Sequence, residues 1–365
     1  MKKNGKMKGK YMAKEKVIVG LSGGVDSSVA AYLLKEQGYE VIGVTMQIWQ
    51  PAYDEVGCGT IEAIEDARKV AESLNIPYHV LDFQETFQRE VMDYFTDEYL
   101  HGRTPNPCVM CNRKVKWEAL LDRAREFGAD YIATGHYARI EQLENGRYAI
   151  KKSVTAAKDQ TYALYNLTQQ QLAHTLMPVG EYEKTQVRGI AEKLGIPVAA
   201  KKDSQDICFI PDNDYAGFLE RQAGVQKPGN FVSVKGEVLG QHKGIIHYTI
   251  GQRKGLGIAF GHPVFVCAIR PETNEVVLGE AEDVFTSELD ADQLNFMSVP
   301  DLAIGQSMEL MAKIRYSHAG DICMVTRTGE DTIHCDFAKK VRAVTPGQAV
   351  VFYQGEYVAG GAVIR

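Results

Sequence analysis

No stretch of this 365-residue chain approaches the run of about 18 apolar residues that a membrane-spanning helix needs. Residues 1–16 hold seven lysines and no apolar segment, so they do not read as a secretory leader. Cysteine is scarce and odd in number, seven in all, which disfavours a disulfide framework and fits reduced thiols in a cytoplasmic protein. The pair Cys108 and Cys111 has no second Cys-x-x-Cys to complete a four-sulfur zinc ribbon. Missing too are the Gly-Lys-Ser/Thr end of a Walker A loop and the spacing Gly-x-Gly-x-x-Gly. Their absence argues against γ-phosphate transfer and against a dinucleotide fold. No internal repeat is visible.

Basic charge is also limited. The net charge is −6, and seven lysines against Glu15 put +6 on residues 1–16, leaving −12 on the rest. A nucleic-acid site must therefore be patchy, because only the local field at a binding face counts. Candidate clusters are Arg113-Lys114-Lys116, Lys151-Lys152 with Lys158, Lys201-Lys202, Arg253-Lys254, and Lys339-Lys340 with Arg342. Taken singly, each reads as a solvated face.

Residues 1–16 read as a disordered basic tail in which Met12 is the more natural start. From 17 to 214 the pattern is α/β. Strands are expected at 17–21, 40–46, 78–83 and 131–134, with helices over 26–37, 60–74, 86–100, 113–127 and 183–194. Short strands alternating with amphipathic helices predict a doubly wound parallel sheet, with ligands at the carboxyl ends of its strands. Residues 215–288 read as a small central β-rich domain and 289–365 as a C-terminal β-barrel. There, short runs rich in Val, Ile, Phe and Tyr alternate with Gly, Asn and Asp turns.

The densest motif is Ser-Gly-Gly-Val-Asp-Ser-Ser at 22–28, directly after Val17-Ile18-Val19 and before a helix. A strand, a glycine turn and a helix start form an anion site: amide N–H groups and the positive helix end face the turn. Gly23 and Gly24 let the backbone approach a phosphate, and Ser22, Ser27 and Ser28 can donate to its oxygens. The other motif is Arg-Thr-Pro-Asn-Pro-Cys-Val-Met-Cys-Asn at 103–112, where two prolines fix an extended loop before Cys108 and Cys111. Cys208 lies far along the chain in Asp-Ser-Gln-Asp-Ile-Cys-Phe-Ile at 203–210. Cys267, Cys323 and Cys335 fall in β-texture, where a small buried thiol is the expected role; Cys58 is ambiguous.

The loop at 22–28 resembles the PP-loop of ATP pyrophosphatases. With it, the chain over 16–365 resembles the tRNA-specific 2-thiouridylases. The supporting segments include Ala-Thr-Gly-His-Tyr at 133–137, Lys-Asp-Gln at 158–160, and His-Tyr-Thr-Ile-Gly-Gln-Arg-Lys-Gly-Leu-Gly at 247–257. Arg-Tyr-Ser at 315–317 and Pro-Gly-Gln-Ala-Val-Val-Phe-Tyr at 346–353 add to them. The resemblance implies an enzyme that uses ATP and Mg²⁺ to adenylate O2 of the wobble uridine, U34, and then replaces that oxygen by sulfur. ATP would contact Gly20, Leu21, Ser22, Gly23, Gly24, Val25, Asp26, Ser27, Met46 and Gly135. Cys208 would accept a persulfide from a sulfur-relay protein or cysteine desulfurase. Cys111 would either attack C2 itself or cleave the persulfide, leaving a Cys111–Cys208 disulfide. The tRNA would meet Thr104, Asn106, Pro107, Cys108, His136, Lys158, Asp159, Gln160, Arg315, Tyr316 and Gln348. Many members of the family carry Asp where Cys108 stands. That departure weakens any claim for a carboxylate base in this loop, and it adds a third sulfur with which an iron–sulfur cluster could be anchored.

Overall fold

The computed structural model describes residues 14–49, 60–201 and 207–365. The expectations for Met12, Cys58, Lys202 and residues 203–206 lie outside them.

In chain order the first strands are β1 (Lys16–Gly20), β2 (Glu40–Gln47), β3 (Tyr78–Asp82), β4 (Tyr131–Ala133), β5 (Ala138–Gln142), β6 (Tyr148–Lys152) and β7 (Thr175–Leu176). Five of them make a parallel sheet in the order β3-β2-β1-β4-β7. Strand β1 shows why both faces are covered. Ile18 packs into one apolar cluster, and Val17 and Val19 into another on the opposite side. The Val17/Val19 face is closed by α1 (Val25–Glu36), α2 (Ile61–Ser73) and the helix Lys184–Lys193, through Val29, Val70 and Val187. Helical segments spanning 84–100 and 107–126 close the other, through Phe87, Val91, Phe95, Val115 and Trp117. Both include wider turns, over Gln88–Asp93 and Cys111–Ala119.

The order places a topological switch between β1 and β4, since β2 and β3 continue to one side and β7 to the other. A ligand crevice belongs outside the carboxyl ends of such strands. Ser22 follows β1 there, and Gly135 lies just beyond β4.

Strands β8 (Gly229–Ser233), β9 (Val238–His242), β10 (Phe265–Arg270) and β11 (Glu275–Gly279) form a second sheet ordered β10-β11-β8-β9. The barrel consists of β12 (Phe285–Phe296), β13 (Ser307–Lys313), β14 (Asp321–Arg327), β15 (Thr332–Arg342), β16 (Ala349–Gln354) and β17 (Tyr357–Ile364). It closes through β12 on β17.

Four details differ from the sequence reading. Lys16, assigned to the tail, opens β1 and pairs with Glu40. Phe285, assigned to the central domain, begins the first barrel strand. The segment read as β-rich opens with a helix, Tyr215–Ala223. Strands β5 and β6 were not expected at all. They form a hairpin whose β6 pairs with β17, so part of the α/β segment extends the barrel sheet.

Candidate active site

The turn at 22–28 is ordered from within. The Ser22 amide donates to Ser27 Oγ at 3.2 Å, and the Ser27 and Ser28 hydroxyls donate to the Gly24 carbonyl at 3.2 and 2.7 Å. Gly23 takes a φ of +68°, a conformation open to glycine at no steric cost, and a Cβ there would meet the Ala63 carbonyl oxygen at 2.5 Å. Ala63 lies in the first turn of α2, whose start is fixed by Thr60 Oγ1 accepting from the Ala63 amide at 3.3 Å. Helix α2 thus backs the turn. Gly135 faces it from β4: a Cβ would stand 2.6 Å from the Ser27 amide nitrogen. Only a residue without a side chain allows this close approach of the two backbones.

Asp26, in the first turn of α1, is held from two sides. The Tyr137 hydroxyl donates to its Oδ1 at 2.7 Å, and Lys184 Nζ lies 2.8 and 2.9 Å from its two oxygens. Neither Tyr137 nor Lys184 was singled out in the sequence. Met46, near the end of β2, is half-buried, and a cleft of about 400 Å³ just past that strand is lined by Ile48, Trp49, Gln84, Glu85 and Gln88, with Met46 outside the lining.

The cysteine loop is held by the barrel. The Thr104 amide donates to the Pro346 carbonyl at 2.8 Å, and Gln348 Nε2 donates to the Thr104 carbonyl at 2.6 Å. Arg103 reaches the Ile364 carbonyl at 3.2 Å. Asn106 caps the helix that follows, its Oδ1 accepting from the Cys108 amide at 3.1 Å, with Pro107 at the first position. Asn106 and Gln348, both expected to meet tRNA, therefore spend part of their hydrogen-bonding capacity inside the protein. Cys108 is an exposed thiol, whereas Cys111 and Cys208 are half-buried thiols packed on the same apolar cluster. Phe209, next to Cys208, meets Phe87 and Phe95 edge to face, with ring centroids 5.7 and 5.6 Å away.

His136 stands near this region. Its Nδ1 is 2.8 Å from Thr134 Oγ1 and its ring tilts against Trp117. The residue is partly exposed as a whole, yet the surroundings of the ring are dense. Desolvation, and then the charge of Lys116, hold its pKa well below the ordinary imidazole range. Lys116 in turn donates to Asn112 Oδ1 at 3.0 Å, beside Cys111.

The remaining expected tRNA contacts gather where the 158–160 segment meets the barrel. Asp159 accepts from the Ser153 amide at 2.8 Å and from Thr161, and Gln160 Oε1 accepts from the Tyr137 amide at 2.8 Å. The Tyr316 hydroxyl donates to the Asp159 carbonyl at 3.0 Å while half its surface stays exposed. Arg315 donates to the Arg342 carbonyl at 2.8 Å. Among the described residues, the group with three metal-type donor atoms within 4.8 Å of one another is Glu288, His334 and Asp336, on the outside of the barrel. No helix among them is long and apolar enough to cross a membrane.

A parallel sheet with a serine- and glycine-rich turn at its switch point defines an α/β protein built to hold a phosphorylated ligand. Family models described as tRNA methyl transferase HUP domain, tRNA methyl transferase PRC-barrel domain and aminomethyltransferase beta-barrel domain match residues 15–212, 216–280 and 286–364. A tRNA-specific 2-thiouridylase MnmA of Lachnoclostridium phytofermentans is 63% identical over 357 residues, covering 96% of this chain and 99% of that one. Its counterpart in Clostridioides difficile is 54% identical over 358 residues, covering 96% and 98%. The chain belongs to the tRNA-specific 2-thiouridylase family of enzymes. Among solved structures, a 4-thiouridine synthetase–RNA complex with bound ATP overlaps 57% of this chain and 50% of that chain. Its identity is 22% and its TM-score 0.37.

Proposed function

We propose that this protein replaces O2 of the wobble uridine, U34, of tRNA by sulfur at the expense of ATP. The observation that carries the reading is that one chain holds the 22–28 turn and two half-buried thiols, Cys111 and Cys208, packed on one apolar cluster. A phosphate turn without a Walker lysine suits pyrophosphate release, and thiols suit delivery of the replacing atom.

The turn amides, with Ser22 and Ser27, hold the phosphates, and Met46 and Gly135 frame the adenine. Asp26 and the phosphate oxygens would hold Mg²⁺, which neutralises phosphate charge when bound. Uridine O2 displaces pyrophosphate from the α-phosphorus, which makes AMP the leaving group at C2. A persulfide on Cys208, supplied by a sulfur-relay protein or cysteine desulfurase, brings the sulfur. Its terminal sulfur attacks C2 and the C2–O bond breaks, releasing AMP. Cys111 attacks Cys208 and the sulfur–sulfur bond of the persulfide breaks, leaving the new sulfur on the base and a Cys111–Cys208 disulfide. A thiol reductant restores both cysteines.

Reaching C2 requires the uridine to be turned out of its stack. The loop 104–107 beside the cysteines suits that pocket, and exposed Tyr316 with Arg315 offers a stacking face and charge. His136, Lys158, Asp159 and Gln160 complete the contact surface.

Incubating the protein with ATP, Mg²⁺, a cysteine desulfurase with cysteine as the persulfide source, a thiol reductant and unmodified tRNA, then digesting the tRNA for nucleoside mass analysis, tests the reading. The expected product is 2-thiouridine with stoichiometric AMP and pyrophosphate. A wobble-uridine tRNA that gains no sulfur overturns it.

A further inference from the structure

The contact between Lys184 and Asp26 bridges two helix starts. Asp26 sits in the first turn of α1, and Lys184 is the first residue of the helix Lys184–Lys193. An acid suits the positive end of a helix, but a lysine there is unfavourable. The second helix is already capped without it: Glu183 and Gln186 form a reciprocal capping box. Lys184 therefore occupies an electrostatically poor position for its own helix and points its ammonium into the crevice.

That ammonium is poorly solvated, since the Lys184 side chain is only 13% exposed against 29% for Asp26. It also lies 5.4 Å from the centre of the Tyr137 ring. Removing two charges from water costs much of what their attraction returns, so such a pair is weak support for folding alone. Its place is informative. Asp26 immediately precedes Ser27 in the phosphate-type turn, and the backbone of Gly135 packs closely against the Ser27 amide.

Resting on the proposed adenylation, we infer that Lys184 is a catalytic cation that exchanges Asp26 for the departing pyrophosphate. Uridine O2 forms a bond to the α-phosphorus, and the bond from that phosphorus to the α,β-bridging oxygen breaks. The electron pair stays on pyrophosphate and the uridine N3 proton passes to water. Negative charge thus grows on the β-phosphate side, beside the turn. Lys184 neutralises it there, and the freed Asp26 carboxylate would be available to hold magnesium. Before ATP arrives, the same pair keeps the carboxylate from repelling it.

The test compares Lys184→Met and Lys184→Arg with wild type in tRNA-dependent pyrophosphate release. Lys184→Met should lower kcat by about 100-fold, the usual scale for losing one preorganised charge-stabilising group, with a smaller change in KM for ATP. Lys184→Arg should recover about tenfold of that loss, because it restores the charge but not the ammonium's shape. Product inhibition gives a second readout: Lys184→Met should weaken inhibition by inorganic pyrophosphate by about tenfold and leave inhibition by AMP within about threefold. If Lys184→Met keeps kcat within about threefold of an active wild type, the role falls. It falls too if pyrophosphate and AMP inhibition weaken equally. Should Lys184→Met not fold, Lys184→Arg decides through the pyrophosphate-to-AMP inhibition ratio, which unchanged binding geometry would leave at the wild-type value. A wild type that releases no pyrophosphate with wobble-uridine tRNA overturns adenylation itself, and this role with it.

Discussion

Lys201 Nζ lies 2.7 Å from Asp66 Oδ2, joining the segment that leads to Cys208 onto the helix that backs the phosphate turn. With 33% and 20% of the two side chains exposed, solvent screens the pair. Asp66→Asn should therefore cost less than about 1 kcal/mol in global unfolding. The sulfur step should suffer more, because the tether of Cys208 is loosened while the turn remains. The measurement is 2-thiouridine formed per pyrophosphate released: the ratio should drop in Asp66→Asn and recover when Asp66→Lys is combined with Lys201→Asp. An unchanged ratio would show that the contact is only a surface pair.

Gly135→Ala should damage ATP binding directly. Its new methyl group would meet Ser27 N at 2.6 Å and Asp26 C at 2.7 Å, both backbone atoms. Such overpacking typically costs about 1–3 kcal/mol. Thermal denaturation should reveal that loss, and ATP titration a weaker affinity. Wild-type values in both would contradict the close approach of β4 to the turn.

His136 supplies a pH dependence. Its folded pKa lies below the unfolded value, so the unfolded chain binds more protons in that range. Stability is complete above the unfolded imidazole pKa and falls as pH drops below it toward the folded value. Denaturant midpoints taken from pH 7 down to 5 should decline in wild type. In His136→Asn the decline should flatten. A parallel decline in both would assign the effect to other groups.

Cys111→Ser and Cys208→Ser should each abolish 2-thiouridine while pyrophosphate release stays within about threefold of wild type. A parallel anaerobic preparation, assayed for iron, separates the persulfide route from a cluster on Cys108, Cys111 and Cys208. Full activity without iron supports the thiols acting alone. Activity that tracks iron content would replace the persulfide.

Much of this was legible because it is local. The apolar run 17–19 followed by 22–28 specifies a strand, a turn and a helix within a short window, and the structure builds all three. The helix expected at 183–194 appears as Lys184–Lys193, with Gly195 beyond it at a φ of +62°. Lys184 itself carried no signal: its importance rests on a partner 158 residues away. Gln348 was expected at the tRNA, and only the folded chain shows its amide donating to the Thr104 carbonyl. The hairpin of β5 and β6 did carry a signal. Asn145-Gly146 lies between alternating apolar and polar residues, a strong hairpin cue that the mixed texture around it obscures. The family names point to nucleic acid, which the acidic total does not announce.

The β6–β17 pairing has a consequence for how the chain is made. Tyr357↔Lys151 joins an early segment to one synthesised about 200 residues later. The edge of β6 stays uncovered throughout synthesis of the central domain and most of the barrel, and contacts so distant in sequence form slowly. The Thr104 loop waits likewise for Pro346 and Gln348. A nascent chain can therefore build its nucleotide crevice before its cysteine loop is set, so C-terminal truncations should yield chains that bind ATP yet leave tRNA unmodified.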